Sequence, residues 1–79
     1  MVETQAGVRT LKQARTARML TVRGLAAAAG VSLAAVHEVE TGKRRPRFGT
    51  IKRISDALGA APESIAEFRA VLLGEEEGA

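Results

Sequence analysis

The chain of 79 residues has no cysteine, no tryptophan and no tyrosine, and its only aromatics are Phe48 and Phe68. Without cysteine there is no disulfide staple, no cysteine-ligated zinc and no thiol nucleophile. The single histidine, His37, has only carboxylates as possible co-ligands, so neither a metal site nor a cofactor is expected. No apolar run approaches the roughly 18–20 residues of a membrane span, so no membrane partner is expected. The opening Met1-Val2-Glu3-Thr4-Gln5 lacks the basic and apolar regions of a signal peptide, and the expected location is a reducing cytoplasm. There is no nucleophile–base pair and no phosphate-binding glycine loop, and the chain is too short to enclose a substrate, so an enzyme is not expected. At 46% hydrophobic and 27% charged residues the chain suits one folded domain. Its core is small enough that self-association or a partner is expected.

Charge is unevenly placed. Residues 9–53 carry eleven Lys and Arg against Glu38 and Glu40, a local net of +9 within an overall +3. Residues 54–79 carry Arg69 against six acidic side chains, a local net of −5. A polyanion-facing half joined to a half with another purpose has this pattern, and a solvated basic face is the plain alternative.

Glycine, proline and hydroxyl residues punctuate the chain. Val8, Leu11, Ala14 or Arg15, and Arg18 fall at helical spacing, predicting a first helix over about 8–19. Thr21 is a good N-cap for a second helix from Val22 to about Ala28, and Ser32 for a third from Leu33 to about Glu40. Gly30 supplies the turn between them, and Gly42 ends the third. Pro46 keeps Lys43-Arg44-Arg45-Pro46-Arg47 out of helix. Phe48 to about Leu58 is the fourth helix, with Ile51, Ile54 and Leu58 inward and Gly59 after its end. Pro62 is placed as the first residue of a fifth, carrying Ile65, Phe68, and Leu72 or Leu73 on its apolar stripe. No period-two alternation occurs, so the fold class is all-α, five short helices over residues 8–74. A flexible start (1–7) and a loose acidic tail (75–79) flank them.

Two short helices joined by Ala29-Gly30-Val31-Ser32, with small Ala26 where they cross, form a helix-turn-helix pattern. The match extends well beyond it. Leu11, Arg15, Leu20-Thr21, Leu25-Ala26, Val36, Val39-Glu40, Gly42-Lys43, Pro46, Thr50-Ile51, Ile54, Ala57-Leu58-Gly59 and Ile65 all stand at family spacing. The chain resembles the phage-repressor and Cro type of helix-turn-helix domain, the XRE family, whose fold is the five-helix lambda-repressor-like domain.

The resemblance implies a site. The third helix would lie in the major groove, with Ser32, Leu33, Ala34, Ala35, His37 and Glu38 facing bases. None of these is Arg, Lys, Asn or Gln, so direct base reading is expected to be thin. Three explanations stand side by side: readout of groove shape by arginines, broadly nonspecific binding, or a groove face whose partner is a protein. Thr21, Arg23, Thr41, Lys43, Arg44, Arg45 and Arg47 are implied to meet phosphates or the minor groove. Val22 replaces a glutamine that usually bonds phosphate, Arg47 a capping serine, and Met19 a glycine. Arg15 and Glu40 are implied to pair, joining the first helix to the end of the third.

The expected function is a DNA-binding transcriptional regulator, a repressor or autoregulator, acting as a homodimer on a palindromic operator. Phe68, Val71, Leu72 and Leu73 are the expected dimer contacts, because they exceed what one short helix needs for its own core. The family includes phage repressors, restriction–modification controllers and antitoxins. The alternative is an adaptor or coactivator using the same fold against a toxin or RNA polymerase, with weak DNA contact.

Overall fold

Hydroxyl side chains set where the first three helices begin. In the computed structural model, which describes residues 8–74, Thr10, Thr21 and Ser32 all adopt extended N-cap backbone, and each accepts a hydrogen bond from an N–H one turn on. The helices are α1 (Leu11–Ala17), α2 (Val22–Ala29), α3 (Leu33–Thr41), α4 (Phe48–Leu58) and α5 (Ala66–Leu72), with a 3-10 turn at Pro62–Ser64 before the last. Among the described residues there is no β-strand, only an isolated parallel bridge between Arg9 and Ile65. The protein is all-α. The expected flexible ends, 1–7 and 75–79, lie outside the described residues.

Two boundaries differ from those expected. The first helix begins at Leu11 and not near 8, because Thr10 and Gln13 form a reciprocal capping box and Arg9 is engaged elsewhere. Arg9 N–H donates to the Ser64 carbonyl (2.9 Å), and its own carbonyl accepts from Ala66 N–H (2.7 Å). That bridge also explains the second difference. Ile65 must be extended to make it (φ −108°, ψ 121°), so the helix expected from Pro62 breaks into a 3-10 turn and α5. Glu67 in the first turn of α5 then reaches back, accepting the Leu11 N–H at 2.8 Å. This carboxylate satisfies a donor at the positive end of α1.

The core is one cluster, with Leu11, Leu25, Val36, Ile54, Ile65 and Phe68 as its largest fully buried side chains. Each contributes about 1.5–3 kcal/mol by leaving water. Phe68 is therefore corrected: at 0% exposure it fills the core and presents no surface to a partner. Val71 is half-buried against the same cluster, and only Leu72 and Leu73 of the expected dimer contacts are exposed. No single helix among the described residues is long and apolar enough to cross a membrane.

Candidate nucleic-acid interface

The turn between α2 and α3 is built from residues that permit close approach. Gly30 takes the left-handed conformation (φ 71°, ψ 32°), and Val31 N–H closes onto the Ala26 carbonyl at 3.0 Å. The chain direction turns by 120° between the two helices. Ala26 is buried at their contact, and Val36 and Val39 bury the inner side of α3. From α4, Arg53 Nη1 donates to the Gly30 carbonyl (3.2 Å), tying the turn to the next helix.

Arg15 and Glu40 fix the far end of α3. Arg15 Nε donates to Glu40 Oε2 at 2.6 Å and Nη2 to Oε1 at 3.1 Å, while Nη1 donates to the Leu20 carbonyl at 2.8 Å. Both side chains are about nine-tenths buried (10% and 9% exposed). The hydrogen-bonded carboxylate holds the guanidinium above its ordinary range, against the opposing effect of burial. One side chain thus joins α1, the α1–α2 linker and α3. The same linker holds Met19 at φ 60°, a left-handed conformation that side chains seldom adopt.

The outer side of α3 carries Ala34, His37 and Glu38 at i, i+3 and i+4, with Leu33 exposed on its flank. Ser32, Ala34, Ala35 and Glu38 form one wall of a cleft of about 480 Å³, and Arg44, Arg45, Pro46, Arg47 and Thr50 line the other. Pro46 is buried, which anchors the loop between α3 and α4 and leaves Arg44, Arg45 and Arg47 exposed around it. Of the expected base-facing residues, Ser32, Ala34, Ala35 and Glu38 therefore share a cavity with the arginines, whereas Leu33 and His37 lie outside it.

Thr21 and Ser32 accept from Gly24 and Ala35 N–H respectively (2.9 and 3.0 Å). Each hydroxyl proton is left available to an acceptor such as a phosphate oxygen. Thr41 differs: its hydroxyl donates to the His37 carbonyl (3.0 Å), so in this conformation its proton is spent. Arg23 is exposed in the first turn of α2, and Lys43 is exposed just beyond α3. Arg47 holds the N-cap position of α4 without a side-chain cap bond.

One feature escaped the sequence reading. Glu38 Oε1 lies 3.1 Å from Arg44 Nε, an ion pair between two residues that line the cleft. Its signal was Gly42, whose left-handed backbone (φ 76°) reverses the chain at the end of α3 and returns residue 44 over residue 38.

A protein-family model described as a helix-turn-helix domain matches residues 8–68. The chain belongs to the helix-turn-helix domain family. The match spans α1 to Phe68 in the middle of α5, and the arrangement is that of a phage-repressor or Cro-type domain. No curated protein and no solved structure matches the chain.

Proposed function

We propose that this helix-turn-helix protein is a transcriptional regulator that binds a palindromic operator as a homodimer, with α3 in the major groove. The observation that carries the reading is the placement of charge. Arg44, Arg45 and Arg47 stand on the wall of the cleft facing the outer side of α3, and exposed Arg23 and Lys43 belong to the same basic stretch. Thr21, Arg23, Lys43, Arg45 and Arg47 hold phosphates, supplying affinity without sequence information. Leu33, Ala34 and Ala35 meet thymine methyls or shape the fit. Leu72 and Leu73, exposed at the end of α5, provide the apolar contact between protomers. Two-fold symmetry then spaces the half-sites by about 34 Å, one turn of the duplex.

The apolar character of the α3 face favours a second reading, an adaptor whose partner is a toxin or polymerase surface. A mobility shift on DNA upstream of the protein's own gene, repeated with salt and competitor DNA, separates the two. Salt-sensitive binding supports the regulator. Affinity for DNA indifferent to salt, or absent, supports the adaptor.

A further inference from the structure

We propose that Glu38 and Arg44 act as one unit that reads a single G·C base pair. This inference rests on the DNA-binding reading above and names the contact that supplies its specificity. Helix α3 has no Arg, Lys, Asn or Gln on its outer side, yet the fold brings a guanidinium onto that side from outside the helix. Gly42 reverses the chain, and Lys43 and Arg44 N–H both donate to the Glu38 carbonyl (2.9 and 3.4 Å). The backbone thereby sets Arg44 over the last turns of α3, and the ion pair at 3.1 Å sets its side chain. Glu38, one turn beyond Ala34, belongs to the part of α3 that would enter the groove. Ala34 and Ala35 are small, so the cleft stays open to the edge of a base pair.

The hydrogen-bonding pattern selects the ligand. The carboxylate meets Arg44 at Nε, the inner edge of the guanidinium, and the arginine side chain is 66% exposed. Its Nη groups make no hydrogen bond to a described residue and remain as two donors, and the second carboxylate oxygen of Glu38 remains as one acceptor. A G·C pair presents the complement in the major groove: N7 and O6 of guanine accept, and N4–H of cytosine donates. An A·T pair places the adenine N6–H donor where the second acceptor is needed, so donor would meet donor. Pairing also limits two costs. Glu38 beside a cation does not repel phosphate as a lone carboxylate would, and Arg44 loses less side-chain freedom on binding because it is already held.

Selection from random DNA is the test, using the wild-type protein, Glu38→Gln and Arg44→Ala, with random-sequence DNA as the affinity reference and circular dichroism to confirm folding. The wild type should prefer G·C at one position per half-site by about tenfold or more. Both variants should lose that preference at that position alone, with the preferences at the other positions of the half-site unchanged. A second measurement needs no variant. Replacing guanine by 7-deazaguanine at that position removes the N7 acceptor, and wild-type affinity should fall several-fold there and nowhere else. Variants that keep the wild-type preference at every position overturn the proposal. So does Glu38→Gln binding all sequences more tightly with preferences intact, which makes Glu38 a phosphate-repelling charge. In both cases the DNA-binding reading survives. Failure of the wild-type protein to bind any DNA overturns that reading itself.

Discussion

Arg15 and Glu40 sit 25 residues apart in sequence and share two hydrogen bonds, of 2.6 and 3.1 Å, in a site almost closed to water. Removing either partner leaves the other charge buried, which costs on the order of 3 kcal/mol. Arg15→Ala and Glu40→Ala should each lower unfolding stability by that amount, as measured by chemical denaturation. The double variant should be markedly more stable than the two losses added together, since the second removal takes away a charge already stranded. Additivity would show that the pair carries no coupling. Arg15→Lys should restore little, because an ammonium cannot serve Glu40 and the Leu20 carbonyl with a planar fork. The raised Arg15 pKa adds a sign: the stability it brings is complete below the ordinary guanidinium value and is lost only as pH rises through the folded one. Titration of Arg15 should therefore leave melting unchanged across the neutral range.

Ser55 on α4 is 2% exposed, and its hydroxyl has no hydrogen-bond partner among the described residues. An unsatisfied buried hydroxyl costs about 1–3 kcal/mol, whereas alanine fits the same space without a polar atom. Ser55→Ala should raise stability by about 1 kcal/mol, measured by chemical denaturation, and leave DNA affinity unchanged. A loss of stability would mean that a water or a shifted neighbour satisfies the hydroxyl in solution.

Much of this architecture was legible in local chemistry. Thr21, Ser32, Gly30, Gly42 and Gly59 each act within a few residues of themselves, so their roles as caps and stops follow from the order of residues alone. The Thr10–Gln13 box was equally local, and the apolar spacing of Val8 and Leu11 masked it. The break before α5 was not legible, because it is imposed by Arg9, a residue 56 positions from Ile65. The same holds for Glu67, an acidic residue in the acidic half whose task is to cap α1. At the candidate interface, charge and motif located the surface. The Glu38–Arg44 pair was hidden because it depends on the chain reversal at Gly42 and not on helical periodicity.

Met19 tests the cost of a side chain in a left-handed linker. It has φ 60° and is 91% exposed, so its side chain adds strain and little packing. Relief of left-handed strain is worth about 1–2 kcal/mol, and glycine gives back roughly 0.5–1 through the freer unfolded chain. Met19→Gly should therefore stabilise by about 0.5–1 kcal/mol, and Met19→Val should destabilise, as read from thermal melts. A destabilised glycine variant would mean that the freedom glycine gives the unfolded chain outweighs the strain it relieves.

The last prediction concerns affinity. Arg23, Lys43, Arg45 and Arg47 are the cations assigned to phosphate, and three engaged per protomer give a dimer about six neutralised phosphates and a log–log salt slope near −5. Arg47 is the cleanest to remove, since its side chain makes no cap bond at α4 and its loss should not disturb folding. Arg47→Ala should weaken binding to operator and random DNA by the same factor and flatten the slope by about one unit for each protomer of the dimer. Anisotropy titrations across a salt series, on both DNAs, measure both quantities. A variant that binds the operator alone more weakly, with the slope intact, would move Arg47 from phosphate to sequence reading, through groove width or base edges. A variant with no effect on either DNA would take Arg47 out of the interface and leave the phosphate contacts to Arg23, Lys43 and Arg45.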